Sequence, residues 1–191
     1  EANVRYEEHE LQGIPANCIV DSAAYCDLVI MGLRTFYHYP PKGPGDSLDR
    51  VLNHTATPIL AVPKHLPTSL RNVLIAYDGS HQATRALHAA ANLNLILPFK
   101  KSYLVCSDPD ETRRSFLLKQ GAAYLRSHKL EELTLVDTNA DIAQIIHDEY
   151  LEKVEMIALG VHARSPMKDF FIGSLTKSLI EYGHMPLLLA Q

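Results

Sequence analysis

From Asn72 onward, short apolar runs alternate with longer stretches whose apolar positions recur at helical spacing. Val73-Leu74-Ile75-Ala76 is the first such run, and it ends at the turn Tyr77-Asp78-Gly79-Ser80. The Ala-rich stretch 82–95 is a helix by propensity, with Ser80 placed to cap it. Residues 102–106 read as a strand, 112–128 as a long helix and 133–136 as a third strand. Asp108-Pro109-Asp110-Glu111 sets acidic side chains at the positive end of the helix that follows. Asp137 or Asn139 is placed to cap the next helix, in which Ile142, Ile145, Ile146 and Tyr150 recur at helical spacing. Strand 156–159, helix 176–182 and strand 187–190 complete the series. Five buried strands separated by helices predict an α/β fold, a doubly wound five-stranded parallel sheet covered on both faces. In such sheets ligands bind beyond the carboxyl ends of the strands, where strand order reverses. The segments to watch are therefore 77–79, 106–108 and the long one that begins at Gly160.

The chain also repeats itself. Laying Asp27-Leu28-Val29-Ile30-Met31-Gly32 on Glu155-Met156-Ile157-Ala158-Leu159-Gly160 and continuing without a gap brings Gly45 onto Gly173 and Pro58 onto Pro186. Ile59-Leu60 then meets Leu187-Leu188. The identities fall on glycine and proline, where backbone geometry is most constrained. Residues 1–63 are thus expected to be the later part of an incomplete copy, with 4–7 as a strand and 16–25 as a helix. Residues 64–70 form a linker, and 71–191 the complete copy.

Composition narrows the function. With 47% hydrophobic and 21% charged residues the chain is globular. No apolar run approaches the roughly 18 residues of a membrane span, so no membrane partner is expected. A net charge of −4 without a basic stripe argues against nucleic acid. Three scattered cysteines build neither a disulfide framework nor a zinc site, which fits a cytoplasmic protein. The ten histidines include no i,i+4 pair and have no companion cysteines, so no metal site is expected. The chain opens on Glu1 without a signal peptide, and a truncated N-terminus is the expectation.

The segment from Gly160 to Ser174 leaves a strand and enters a helix. Its glycines allow close approach of a phosphate, and the N–H groups of Ser174, Leu175 and Thr176 are the free donors of a new helix. From spacing alone, the same segment reads equally well as a loop whose glycines only permit a turn.

Gly160-x-x-Ala163, nine residues, then Gly173-Ser174 resembles the nucleotide-binding signature of the universal stress protein family. Val73 to Ser80 is similar to that family's first strand and its aspartate, and His184-Met185-Pro186-Leu187 to its closing segment. The resemblance implies a protein that binds ATP, with Mg or Mn on the phosphates, and acts in stress response or signalling without being a dedicated ATPase. It implies that Asp78 binds ribose and that Ala76 and Tyr77 line the base, with the backbone near Val105 or Cys106 at the base edge. Leu159, Gly160, Ala163, Gly173, Ser174, Leu175 and Thr176 would then contact ribose and phosphates, with His162 and Arg164 approaching the phosphates. Ala163 stands where the family has its second glycine; at positive φ its methyl costs about 1 kcal/mol. In the first copy Asp46 puts a negative charge where a phosphate would sit, so that copy is expected not to bind.

The resemblance also suggests that strands 59–62 and 187–190 meet antiparallel, closing an intrachain pseudo-dimer. The apolar run Phe170-Phe171-Ile172 reads first as packing of the loop against its own domain, and otherwise as a partner surface for a homodimer. No Ser-His-Asp or Cys-His order and no general base stands out, so an enzyme is not expected. The alternative is a tandem scaffold of the same fold that binds no nucleotide.

Overall fold

The computed structural model describes residues 4–33, 46–161 and 174–191. In chain order the elements are α1 (Pro15–Ala23), β1 (Val29–Gly32), α2 (Asp46–His54), β2 (Ile59–Val62), β3 (Asn72–Ala76), α3 (His81–Ile96), β4 (Lys101–Ser107), α4 (Glu111–Ser127), β5 (Leu133–Thr138), α5 (Ile142–Ile145), β6 (Met156–Gly160), α6 (Ser174–Tyr182) and β7 (Leu187–Ala190). Helix α5 continues as one π-helical turn, Ile146–Tyr150, closed by Leu151 N–H donating to the Ile146 carbonyl at 3.1 Å.

The described strands form one seven-stranded sheet in the order β1-β2-β7-β6-β3-β4-β5. All neighbours run parallel except β2 and β7, which pair antiparallel with Ile59 opposite Leu189, Leu60 opposite Leu188 and Ala61 opposite Leu187. Seven strands stand where five were expected; five of them, β3 to β7, fall in residues 72–190. The sheet has two more strands because β1 and β2 join it through β7 instead of standing apart.

Alternation along the strands builds two cores. Leu74, Ala76, Ile157, Leu159, Leu187 and Leu189 face a cluster that includes Val51, Ile146 and Leu179 from the helices. Val73, Ile75, Ala158 and Leu188 face the other side, against Leu87, Ala90 and Leu118 of α3 and α4. Continuous apolar strands are what a sheet buried on both faces requires. Ile30, by contrast, is 65% exposed on the edge strand β1.

Capping follows the sequence with one shift. Ser80 Oγ accepts from Ala83 N–H at 3.1 Å, and Asp110 accepts from Thr112 N–H at 2.9 Å. The cap of α5 is Asp141, accepting from Gln144 N–H at 3.0 Å, and not Asp137 or Asn139. Asp137 lies on β5 and is held by Arg114. The strand expected at 4–7 is absent: those residues are irregular, with Val4 71% and Tyr6 81% exposed. A strand so short, with charges at Arg5 and Glu7, buries too little apolar surface to offset ordering.

The seam register makes a prediction. Successive opposed pairs in an antiparallel ladder alternate between wide and narrow spacing. Cysteines placed at Leu60/Leu188 or at Ala61/Leu187, with Cys18 and Cys26 changed to Ser, should therefore give an intrachain disulfide in one of the two designs. Non-reducing gels and mass spectrometry read the product; covalent dimers without intrachain bonds would mean that the strands pair between chains.

Candidate functional site

The strand order reverses beside β3. Chain that runs from β3 to β4 and β5 on one side returns through β6 on the other. Between the carboxyl ends of β3 and β6, where the crossovers diverge, lies a cleft of about 330 Å³. Its size falls at the lower end of the range of about 300–1,000 Å³ common to small-ligand sites. The end of β3 contributes Ala76, Tyr77 and Asp78; the end of β6 contributes Leu159 and Gly160. The first turn of α6 closes it with Ser174, Leu175 and Thr176.

Gly160 is required by packing. A β-carbon there would lie 2.3 Å from Ala83 N and 2.5 Å from the Gln82 carbonyl carbon. The first turn of α3 thus sits directly on the end of β6, and the absent side chain is what lets helix and strand share the cleft wall. Asp78 is exposed, and its Oδ1 accepts from Ser80 N–H at 2.9 Å, which fixes the carboxylate at the α3 start. Ser80 in turn caps α3, so one turn orients both the helix and the acid.

Of the residues expected here, Ala76, Tyr77, Asp78, Leu159, Gly160, Ser174, Leu175 and Thr176 come together. Val105 and Cys106 do not reach the cleft wall; both are fully buried in β4, and the Val105 carbonyl accepts from Tyr77 N–H at 2.9 Å. His162, Ala163, Arg164 and Gly173, like Phe170 and Phe171, lie outside the described residues. Ser80, Ala83, Ser107, Asp141 and Ile142 also line the cleft, and the sequence reading missed them as site residues. Ser107, the last residue of β4, falls in the segment 106–108 that the strand-end rule singled out; Asp141 is the cap that the periodicity misplaced.

Two arginines on the first turn of α4 tie these loops together. Arg114 pairs through Nε with the Asp137 carboxylate, and its Nη1 donates to the Asp108 carbonyl at 2.5 Å. Arg113 Nε lies 3.4 Å from Asp108 Oδ2, and its Nη2 donates to the Asp78 carbonyl at 3.4 Å. Ser107 Oγ donates to the Ala140 carbonyl at 2.5 Å, joining the ends of β4 and β5 beside Asp141. The ends of β3, β4 and β5 are thereby fixed relative to one another. Burial, with the charges of Asp108, Asp78 and Asp137, pushes the Cys106 thiol up from 9.0 to about 11. Among the described residues no group of three or more His, Cys, Asp or Glu is arranged to hold a metal, and no helix is long and apolar enough to cross a membrane.

A model of the universal stress protein family matches residues 69–191. A universal stress protein of Synechocystis is 23% identical over 180 residues, which is 92% of this chain and 62% of that protein. The chain therefore spans about three-fifths of the length of this curated relative. Among solved structures, a universal stress protein from Archaeoglobus fulgidus superposes with a TM-score of 0.71 at 19% identity, covering 93% of this chain and 66% of the other. A protein from Pseudomonas aeruginosa, described as a putative universal stress protein, gives 0.61 at 16% identity, covering 94% and 69%. At these identities the structures speak for the fold.

Two outcomes follow from the geometry. Gly160→Ala drives a methyl into backbone, so it should cost about 3 kcal/mol, the upper part of the overpacking range, read as a lower urea midpoint. An unchanged midpoint would mean that α3 is free to back away. For Cys106, the unfolded thiol ionises near 9.0 and the folded one near about 11, so its contribution turns against folding as pH rises across that interval. At pH 8, iodoacetamide should label the exposed Cys26 and spare Cys106 until the chain is unfolded. Equal labelling of both in the folded protein would contradict the burial.

Proposed function

As the chain belongs to the universal stress protein family, we propose that it binds an adenine nucleotide, ATP with Mg or Mn on its phosphates, in the cleft between β3 and β6. Occupancy, not turnover, would carry its role in stress response or signalling. The observation that carries this reading is that one strand-end cleft joins an exposed carboxylate, an apolar wall and the start of a helix. Ala76 and Tyr77 offer the wall for a base. Asp78, held on one oxygen by Ser80, has acceptor capacity for ribose hydroxyls. The first N–H groups of α6, at Ser174, Leu175 and Thr176, lack partners within the helix and suit phosphate oxygens. Asp78 and Asp141, the carboxylates on the described wall, sit at turn and cap positions, each accepting from a backbone N–H. That supports a binding protein over an enzyme.

We read residues 1–63 as an incomplete copy of the domain at 71–191, joined by 64–70. The support is the internal repeat together with the antiparallel meeting of β2 and β7, which are equivalent strands under that repeat. The two copies would form a pseudo-dimer within one chain, and whole chains would associate through other surfaces. The free cysteines fit a cytoplasmic protein. A second reading, a scaffold of the same fold without nucleotide, is favoured by one observation: Asp78 and Asp141 face the cleft, and no Lys or Arg lines it among the described residues.

Calorimetry separates the two. Ser174→Asp puts a charge at the phosphate end while suiting a helix start, so ATP should weaken at least tenfold with adenosine little changed. Asp78→Ala should weaken ATP and adenosine alike. No heat from the unaltered chain with ATP at millimolar concentration, with or without Mg, would leave the scaffold reading.

A further inference from the structure

We propose that a second cavity, at the seam between β2 and β7, binds an organic anion with an apolar body. The cavity holds about 540 Å³ and opens on the opposite side of β7 from the nucleotide cleft in the strand order. It exists because the seam is antiparallel: the carboxyl end of β2 lies beside the amino end of β7, so the residues after Val62 meet those before Leu187. Leu33 and Val62 supply apolar lining, and Lys64, His65, Tyr182 and His184 stand around them.

The side chains are set up for an anion. Lys64 brings a fixed cation and His65 and His184 bring imidazoles with ring N–H donors, and no carboxylate lines the cavity among the described residues. This occurs in a chain whose net charge is −4, and it inverts the character of the first cleft, where two carboxylates and no Lys or Arg line the described wall. Glu181, the acid nearest in sequence, lies 4.0 Å from Lys177 on the previous turn of α6 and does not line the cavity. The turn is also fixed in advance. Gly183 at φ +71 ends α6 with its N–H donating to the Leu179 carbonyl at 3.2 Å. This is a left-handed C-terminal cap that few other residues adopt cheaply. The Tyr182 and His184 rings then meet edge to face at 5.2 Å, so the two rings hold one another beside the cavity. Apolar lining beside a lysine and two imidazoles matches a ligand whose charge is at one end, an aliphatic or aromatic acid, better than a free inorganic ion.

The probe is 8-anilinonaphthalene-1-sulfonate, followed by fluorescence in the folded full chain. Saturable one-site binding is expected, displaced by dodecanoate and not by dodecyltrimethylammonium. The double variant Lys64→Ala/His184→Ala, both exposed positions, should bind at least tenfold more weakly with an unchanged circular dichroism spectrum. Asp78→Ala should bind the probe normally, which keeps this site separate from the nucleotide cleft. Absence of saturable binding, equal affinity in the double variant, or displacement by the cationic amphiphile as readily as by dodecanoate would each overturn the proposal.

Discussion

The antiparallel contact between β2 and β7 is the constraint on which the rest of the architecture depends. Each of these strands follows a proline, is short and apolar, and would be an exposed edge if its half stood alone. Paired through Ile59–Leu189, Leu60–Leu188 and Ala61–Leu187, they become interior strands of one sheet. Leu188, at a centre of the seam, is fully buried in the same cluster as α3 and α4, so the contact ties β2 to the core of the second half. The seam also sets directions: everything from β7 to β5 points its carboxyl ends one way, and β1 and β2 point the other.

That arrangement determines where chemistry can occur. The β3–β6 cleft needs only the second half, because the reversal of strand order falls between those two strands. Its shape rests on a packing contact, the seat of the α3 first turn on Gly160, and on polar ties from Arg113 and Arg114 across three strand ends. Removing the side chain at one position and adding two guanidinium groups at another produces a rigid rim, the kind of support that a binding site on loops requires. The cavity beside Lys64 and His184 belongs to the seam itself and would not exist in either half alone.

Much of this was legible in the sequence because the signals were local. Apolar runs marked all five strands of the second half, and Ser80 announced its helix by a side-chain oxygen that could cap nothing else nearby. The repeat pointed to β1 and β2, and the strand-end rule pointed to Tyr77, Asp78 and Gly160. What the sequence did not disclose depends on contacts between distant elements. Asp137 looked like a cap, but its carboxylate is taken by Arg114 from another helix, and the capping role passed to Asp141. Val105 and Cys106 end a strand in sequence, yet β4 runs on to Ser107, which carries them below the cleft wall. The helix after β5 kept Ile146 and Tyr150 buried, as their spacing suggested, but it widens there into a π-helical turn that spacing alone does not announce.

The central claim, that the β3–β6 cleft is the nucleotide site, is tested most directly by amide chemical-shift mapping during titration with ATP and Mg. The account predicts saturable shifts at Asp78, Ser80, Gly160 and Ser174 to Thr176, with Val62, Lys64 and His184 unmoved. Shifts confined to other surfaces, or none at millimolar ATP, would contradict it.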